Sequence, residues 1–410
     1  MSEKFQVPRG THDVLPTDAT WWFVVAKFEE LLRLYGWRRI QTPGFEDTSL
    51  FARTSGEASD VVHKEMYTFE DRSGRSLTLR PEGTAPIARA YLEHGMQREP
   101  QPIKAYTIAP MYRYGRPGRG RHREHWQFSV EAIGSPGPAI DAEVIELYAQ
   151  LLRSLQVTQW ELHLNSIGDA NCRPQYVERL NAWLDAHDDL LGEEARHKRA
   201  TSPLQVFDVK DPALREALAD APKIGDSLCD ACRAHFDDVR ARLDALGIRY
   251  VVDPTLVRGL DYYSRTTFEF IGPDENANST ICGGGRYDGL IEQIGGPPTP
   301  GIGFGAGIER LLLALENESI EAAPVPLDVF VVADGASELD VLRIVQELRA
   351  RGLATDMDHA GRSVKGQFSQ ATRTGAATTV VVRATEAVVR RTGLGDVTVG
   401  HDDVAGTLVQ

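Results

Sequence analysis

The sequence predicts an α+β fold built on a mostly antiparallel sheet, with a helical insertion and a C-terminal α/β domain. Strand patterns surround an arginine-rich loop at residues 103–134 and return at residues 266–289. Residues 170–250 between them are polar, rich in alanine and aspartate, and mostly helical in pattern. After a proline-containing linker, strands and helices alternate over residues 327–410, which is typical of an α/β domain.

Length and composition predict a globular protein with about two or three domains. The chain has 410 residues, of which 42% are hydrophobic and 25% are charged. No apolar run approaches the roughly 20 residues of a membrane span, and the N-terminal MSEKFQVPRG lacks a signal-peptide core. We therefore expect a cytoplasmic protein that does not associate with membranes.

The charge is unevenly distributed along the chain. A net charge of −14 weighs against nucleic-acid binding by the surface as a whole. However, five arginines and no acidic residue lie between Arg113 and Arg123. This stretch is therefore the strongest candidate for binding an anionic ligand.

The N-terminal region mixes helix and strand signals. An amphipathic helix is predicted over residues 17–36, with Thr17 as its N-cap and Gly36 at its end. The segment RRIQTPGFED follows as a strand that Pro43 interrupts. The segment SLTLRPEGTAPIARAYLEHG then predicts a strand, a turn and a helix capped by Thr84.

The central and C-terminal elements follow in order. Two strands, IKAYTIAPMYR and HWQFSVEAIG, precede a helix over residues 139–156 and the strand WELHLNSIG. After the insertion come the strands TTFEFIG and STICGGGRYDG and the helix AGIERLLLALENE. In the last domain a small, mostly parallel sheet is predicted from VFVVAD, a helix at 337–351, TDMDHA, a helix at 363–374, TTVVVRA and DVTVGH.

The loop MYRYGRPGRGRHREHWQ joins the first two of these central strands. Because strand side chains alternate between faces, Gln127, Ser129 and Glu131 share one face, and the loop arginines project beyond the strand ends. Arginine binds phosphate oxygens with two parallel hydrogen bonds. A polar face beside clustered arginines suits a small zwitterion next to a polyphosphate. A solvated basic hairpin explains the loop equally well.

The cysteines leave two interpretations open. Cys229 and Cys232 form a CxxC at a predicted helix start, and Cys172 and Cys282 are distant in sequence. A zinc site would need two further ligands, for which His235 and Cys172 are candidates. We interpret the pair as structural and metal-free, with zinc binding as the alternative.

The chain resembles the class II aminoacyl-tRNA synthetases. The strand–loop–strand is similar to their second motif, and GIGFGAGIERLLLAL to their third. The proline of WRRIQTPGFED matches their first motif, which forms the dimer interface in the family. The resemblance implies a class II catalytic domain and a homodimer.

Further segments resemble the histidyl-tRNA synthetases, and together the similarity covers essentially the whole chain. LVRGLDYYSRTTFEF and ICGGGRYDGL are similar to signatures peculiar to that family. LRPEGTAPIARAY, LFARTSGEASDVVHKEMYTF, NSIGDANCRPQY and AGRSVKGQFSQATRTGA are also family-like. The resemblance implies a ligase that joins L-histidine to tRNA(His) through a histidyl-adenylate. The implied domains are a catalytic domain at 1–169 and 251–320, a helical insertion at 170–250 and an anticodon-binding domain at 327–410.

The resemblance also implies roles for residues of a histidine site. Glu82 and Thr84, helped by Gln127, would hold the α-ammonium. Glu131 and Tyr263 would bracket the imidazole, and Tyr262 would line the pocket.

A second set of implied roles concerns ATP and catalysis. Arg113 and Arg258 would contact the α-phosphate and act as catalytic residues, and Arg310 would pack on the adenine. Arg121 is also expected to bind ATP. His125 stands where the family commonly has a phenylalanine that stacks on adenine, so the stacking residue stays open.

Each residue taken singly has a structural explanation. Glu82 could be an acid at a helix N-terminus, Tyr262 and Tyr263 strand aromatics, Glu131 a solvent-facing acid and Arg258 an ion-pair partner. Their joint occurrence in the family's order favours a site.

The remaining expectations concern partners and competing assignments. Mg²⁺ would accompany ATP, and Arg362, Lys365 and Arg373 could contact tRNA phosphates, although a solvated helix face explains them too. The alternatives are a non-catalytic relative, such as the regulatory subunit of ATP phosphoribosyltransferase, or a synthetase for threonine, proline or glycine. The retained arginines and the paired tyrosines of RGLDYY argue against both.

Overall fold

The computed structural model describes residues 4–55, 61–273, 280–391 and 393–408. The chain divides into two units, Met1–Ala322 and Ala323–Gln410. In the described residues, no helix combines the length and apolar character that crossing a bilayer requires.

The first unit contains eleven strands and ten α-helices within the described ranges. The strands are β1 Arg38–Arg39, β2 Phe45–Asp47, β3 Thr68–Glu70, β4 Ser76–Leu79, β5 Ile103–Tyr112, β6 Glu124–Ile133, β7 Glu161–Ser166, β8 Val251–Val252, β9 Ser264–Ile271, β10 Thr280–Arg286 and β11 Gly301–Gly307. The helices are α1 Ala19–Leu34, α2 Thr48–Ser55, α3 Thr84–Glu93, α4 Pro138–Ser154, α5 Arg173–Ala186, α6 Glu193–Thr201, α7 Pro212–Ala217, α8 Asp230–Ala245, α9 Leu290–Gln293 and α10 Ile308–Asn317.

Eight of these strands form one large sheet in the order β1-β5-β6-β11-β10-β9-β7-β8. Its two outermost pairs, β1 with β5 and β7 with β8, are parallel, and the five pairs between them are antiparallel. The prediction of a mostly antiparallel sheet is therefore confirmed. The other three strands form a small sheet in the order β2-β4-β3.

One face of the large sheet carries the main apolar core. Helix α1 buries Val24, Phe28 and Leu32, which recur at a helical spacing of four residues. The Phe28 ring lies 4.1 Å from the ring of Phe128 on β6. The helix begins at Ala19 with Asp18 as its N-cap, one residue after the predicted cap Thr17.

The segment predicted as an insertion, residues 170–250, contains α5 to α8 between β7 and β8. Helix α8 packs on α4, and the other helices share a second apolar cluster with residues of the large sheet and of the loop before β9. That cluster includes Tyr176 and Leu180 of α5 together with Tyr262, Tyr263 and Tyr287. The helices thus support residues of the predicted histidine site, and the domain boundaries themselves stay a prediction.

The second unit is an α/β fold with a five-stranded mixed sheet. Its elements are β12 Val329–Ala333, α11 Glu338–Ala350, β13 Thr355–Met357, α12 Val364–Arg373, β14 Thr378–Val382, β15 Ala387–Arg391, β16 Val397–Val399 and α13 Val404–Leu408, and its strand order is β13-β12-β14-β15-β16.

The expectation of a mostly parallel sheet in this unit is wrong, because only two of its four strand pairs are parallel. Strand β15 was missed by the sequence analysis. It follows β14 after four residues, and so short a connection permits only antiparallel pairing.

A buried ion pair and the hydrogen bonds made to it connect four elements of the first unit. Asp141 of α4 and Arg286 of β10 are both fully buried and hydrogen-bonded, with Arg286 Nε 3.1 Å from the carboxylate. Asp141 also accepts hydrogen bonds from His235 of α8, at 2.9 Å, and Thr266 of β9, at 2.7 Å. Burial would raise the pKa of Asp141, but His235 and Arg286 hold it below its usual value.

Replacing Asp141 by alanine should cost roughly 3–5 kcal/mol of unfolding free energy, because Arg286 would keep a buried charge without a counterion. The measurement is urea denaturation of the full chain. Asp238→Ala, which breaks an exposed pair with Arg242, serves as the control and should cost under about 1 kcal/mol. Equal small losses in both variants would contradict the assigned role.

Candidate active site

A cavity of about 370 Å³ lies on the sheet face opposite the main apolar core. Its floor is formed where glycines of β10 and β11 lie beside longer side chains from β6 and from the loop before β9. A Cβ on Gly283 would lie 2.3 Å from the Arg258 guanidinium, and one on Gly305 would lie 2.7 Å from the Gln127 amide. Glycine at these positions therefore leaves the space that the polar side chains occupy.

The β5–β6 hairpin supplies one wall of the cavity. Its register pairs Tyr112 with Glu124, so the arginine-rich segment is the connecting loop, as predicted. The Arg113 Nε donates to the Pro81 carbonyl at 2.8 Å, which fixes this guanidinium beside the β4–α3 turn. Gln127 donates to Ser129 at 2.9 Å, which confirms that they share a face.

The β4–α3 turn places a carboxylate at a helix N-terminus inside the cavity. Glu82 is 3% exposed, and its two carboxylate oxygens accept hydrogen bonds from the backbone N–H groups of Thr84, at 2.6 Å, and Ala85, at 2.8 Å. The prediction that Thr84 caps this helix is therefore wrong, since the Glu82 carboxylate accepts the hydrogen bonds from the free N–H groups at the start of the helix. Burial raises the pKa of Glu82, and these hydrogen bonds oppose the rise.

Glu131 lies one layer below the cavity surface and is fully buried. It accepts hydrogen bonds of 2.6 Å from the hydroxyl groups of Thr84 and Tyr287. Burial raises the pKa of Glu131 to about 8. A Cβ on Gly303 would lie 2.0 Å from its carboxylate, so this side chain also depends on a glycine of β11.

The loop before β9 supplies a guanidinium and two phenols. Arg258 forms an ion pair with Glu269 of β9, and its Cζ lies 5.8 Å from the centre of the Tyr263 ring. The Tyr262 and Tyr263 rings are both buried, with centres 4.6 Å apart. Burial raises the pKa of both phenols, so they are neutral hydrogen-bonding groups.

The four predicted arginines, Arg113, Arg121, Arg258 and Arg310, line the same cavity, and Arg116 lies in its wall as well. Arg310 donates to the Thr280 carbonyl at 2.7 Å. Burial, and then the charges of the other three predicted arginines, lower the pKa of Arg310 to about 10. Such mutual repulsion in a partly desolvated space is relieved when an anion binds between the guanidinium groups.

His125 of β6 also lines the cavity. Burial, and then the charges of Arg113 and Arg310, lower its pKa to about 3, so the imidazole is neutral. A neutral ring can stack on a nucleobase without adding to the positive charge around it.

Two carboxylates in the cavity wall were missed by the sequence analysis. Glu309 is 7% exposed, accepts a hydrogen bond from the Trp126 N–H at 2.9 Å, and has a buried Oε2 without a hydrogen-bond partner. Burial raises the pKa of Glu309 to about 7. Its position next to Arg310 in the glycine-rich motif was the available signal. Glu65, the second carboxylate, lies in the family-like segment LFARTSGEASDVVHKEMYTF, but nothing in that segment singled it out.

The structure therefore brings ten of the eleven predicted site residues to one cavity wall. They are Glu82, Thr84, Arg113, Arg121, His125, Gln127, Arg258, Tyr262, Tyr263 and Arg310. Glu131 is the exception, because it lies behind Thr84. Residues 56–60 of the family-like N-terminal segment lie outside the described residues.

Comparison with known proteins gives consistent matches along the chain. A family model described as histidyl-tRNA synthetase matches residues 10–311. A histidine–tRNA ligase of Caldanaerobacter subterraneus subsp. tengcongensis is 46% identical over 400 residues, which cover 97% of this chain and 96% of that relative. The crystal structure of apo S. aureus histidyl-tRNA synthetase is 38% identical, with a TM-score of 0.83, and covers 99% of this chain and 100% of that one.

A structure described as an ATP phosphoribosyltransferase regulatory subunit/histidyl-tRNA synthetase, from Bacillus halodurans, shares the fold. Its TM-score is 0.63 at 23% identity, and it covers 90% of this chain and 97% of its own. Because the family model spans most of the chain and close relatives match nearly all of it, the chain belongs to the histidyl-tRNA synthetase family.

Proposed function

We propose that the cavity binds L-histidine beside ATP, and that the enzyme joins histidine to tRNA(His) through a histidyl-adenylate. The observation that carries this proposal is the make-up of the cavity lining. Buried acidic and phenolic groups, among them Glu82, Tyr262 and Tyr263, line the same cavity as five arginines. This arrangement is complementary to an amino acid with a cationic group next to a polyphosphate.

In this cavity, Glu82 would bind the α-ammonium of histidine. Each of its carboxylate oxygens already accepts one backbone N–H and retains a second lone pair. Thr84 and Gln127 would complete the ammonium site. An ammonium bound there would also offset the burial that raises the pKa of Glu82.

The imidazole of histidine would lie between Glu131 and Tyr263, with Tyr262 beside it. Reaching Glu131 requires exchange of its hydrogen bond from the Thr84 hydroxyl for one from a ring nitrogen. Substrates without ring hydrogen-bonding groups would leave these buried groups unpaired, which is costly. Such a pocket rejects analogues by about 10⁴-fold or more without an editing step.

The arginines of the cavity would bind ATP. Arg113 and Arg258 would contact the α-phosphate, while Arg121 and Arg310 would bind the rest of the nucleotide. His125 would stack on the adenine. The hydrogen bond from Arg113 to Pro81 and the ion pair between Arg258 and Glu269 hold two of these guanidinium groups before substrate arrives. Such preorganised charge stabilises a transition state efficiently.

The proposed reaction needs no nucleophile from the protein. The histidine carboxylate attacks the α-phosphorus of ATP, and pyrophosphate leaves. The terminal ribose hydroxyl of tRNA then attacks the adenylate carbonyl, and AMP leaves. The protein contributes alignment of the two substrates and positive charge at the phosphorus.

Mg²⁺ is proposed to accompany ATP and to neutralise charge on its phosphates. The unpartnered buried Oε2 of Glu309 fits this group, because Mg²⁺ prefers hard oxygen ligands and is commonly held by one or two carboxylates plus phosphates. Glu65 is the other carboxylate in the cavity wall available for this role.

We also propose that the protein is a cytoplasmic homodimer. Exposed aromatic residues near the first motif support the dimer: Phe45 and Phe69 are 49% and 43% exposed, with ring centres 6.1 Å apart. Exposed apolar patches of this kind commonly mark protein interfaces.

The second unit is proposed to bind the anticodon region of tRNA. Its nine basic and eleven acidic residues, at positions 327–410, give a net charge of −2, so overall charge does not drive binding. Lys365 and Arg373 are exposed on α12 and can contact phosphates. Arg362 precedes the helix and is paired with Asp358 at 2.6 Å.

Pyrophosphate exchange with ATP should depend on histidine and on no other standard amino acid. The assay is run on the purified enzyme with each amino acid in turn, with histidinol as an analogue that lacks the carboxylate. Because the carboxylate is the attacking group, histidinol should support no exchange. Exchange dependent on another amino acid would contradict the substrate assignment.

Arg258→Ala should lower the single-turnover rate of adenylate formation by about 10²–10³-fold, because it removes positive charge at the α-phosphate. Glu269→Gln is the matched control, since it breaks the same ion pair but leaves the guanidinium in place. The control should lose far less activity. Equal losses in the two variants would assign Arg258 a structural role instead.

A further inference from the structure

We propose that Asp169, Cys172, Cys229 and Cys232 form a structural binding site for a thiophilic divalent cation of the Zn²⁺ type. The side chains offer one carboxylate and three thiols, whose ligand atoms all lie within 4.8 Å of one another. The site lies outside the substrate cavity, so it stands independently of the proposed function.

The geometry is close to what tetrahedral coordination requires. Bonds of about 2.3 Å from zinc to sulfur place neighbouring ligand atoms roughly 3.8 Å apart. The Asp169 Oδ1 lies 3.7 Å from the sulfur of Cys172 and 4.0 Å from that of Cys229. Small side-chain rotations therefore suffice to complete the coordination shell.

The backbone brings the thiols together from two helix starts. Cys172 immediately precedes α5, Cys229 immediately precedes α8, and Cys232 lies in the first turn of α8. This placement unites a CxxC with a third cysteine that is 57 positions away from it in sequence.

The carboxylate of Asp169 is oriented as a metal ligand would be. Its Oδ2 accepts a hydrogen bond from Arg265 at 3.3 Å, while Oδ1 faces the thiols. Supporting contacts of this kind orient the ligands of protein metal sites. The guanidinium also offsets the negative charge that three thiolates and a carboxylate would bring.

Close packing around the cluster supports a preformed binding site. Gly168 has a φ of +65°, and a Cβ there would lie 2.6 Å from the Cys172 sulfur. Cys232 is fully buried and Cys172 is 4% exposed, while Cys229 is partly exposed. Purely apolar packing does not explain three thiols gathered around one carboxylate.

The role of the ion follows from its ligand set. Four protein ligands leave no open coordination position, which is typical of structural rather than catalytic zinc. The ion would fix the starts of α5 and α8 against the end of β7. Next to it, Arg173 donates to the carbonyl groups of Gly168 and Tyr263, at 3.3 and 2.7 Å, so the cluster also supports the loop that carries Tyr263.

The test is the metal content of the full-length enzyme purified from zinc-supplemented cells, measured by inductively coupled plasma mass spectrometry. The wild type should retain about one zinc ion per chain. Cys232→Ser should lose most of it. The matched control is Cys282→Ser, because Cys282 is a buried cysteine on β10 outside the cluster, and this variant should keep its zinc.

A second readout uses Co²⁺ added to enzyme stripped with a chelator under reducing conditions. Cobalt–thiolate charge-transfer absorption should develop in the wild type and in Cys282→Ser, and it should be lost in Cys232→Ser. If Cys232→Ser does not fold, Asp169→Asn tests the site with the same titration and should bind Co²⁺ at least about 10-fold more weakly.

Two results would overturn the proposal. One is a wild-type enzyme that retains no zinc and gives no cobalt–thiolate absorption when its thiols are reduced. The other is a native disulfide between two of the three cysteines, detected by peptide mass spectrometry of protein that was alkylated without reduction.

Discussion

The site depends on the glycines of β10 and β11, which have no side chain to fill the space above the sheet. Strand register places Ser129, Gly305, Gly283 and Glu269 in one row across β6, β11, β10 and β9. Because paired residues of antiparallel strands point to the same face, glycines in the middle of this row open a trough between the outer side chains. Arg258 and Gln127 occupy the space that Cβ atoms would fill.

The same strands present a different chemistry on their other face. There, Val130, Phe268 and Phe304 are fully or almost fully buried in the core beneath α1 and α4. A sheet with an apolar face and a glycine-lined face can hold polar groups rigidly while still burying enough surface to fold. The buried pair of Asp141 and Arg286 links α4 to the C-terminal end of β10, so the floor of the cavity is fixed by the core behind it.

Much of this arrangement could be predicted from local sequence. Alternation along β6 placed Gln127 and Ser129 on one face, and the arginine-rich loop fell between the two predicted strands. The roles of Arg258 and Tyr263 could not be derived in that way. Both residues precede β9, and only the resemblance to a family connected them with the hairpin more than 100 residues earlier in the chain.

The features that sequence analysis missed depend on long-range packing. The sequence analysis offered Glu82 both as a ligand-binding residue and as an acid at a helix N-terminus, but it named Thr84 as the cap of α3. Which side chain accepts from the free N–H groups depends on the exact turn geometry. The metal-free interpretation of Cys229 and Cys232 weighed Cys172 as a distant candidate, and folding of the insertion places it beside them with Asp169. Strand β15 was missed because a short hairpin breaks the alternation of strands and helices.

The most direct test of the glycine-lined floor is the rate of histidine-dependent pyrophosphate exchange in Gly283→Ala. The added methyl group meets the flexible end of Arg258 and not backbone, so the protein should fold normally while the guanidinium is displaced. We predict a loss of about 10²-fold, the usual cost of a misplacement near 1 Å. Gly289→Ala, where a Cβ meets nothing within 4 Å, should retain wild-type activity. Wild-type exchange in a folded Gly283→Ala enzyme would contradict the account.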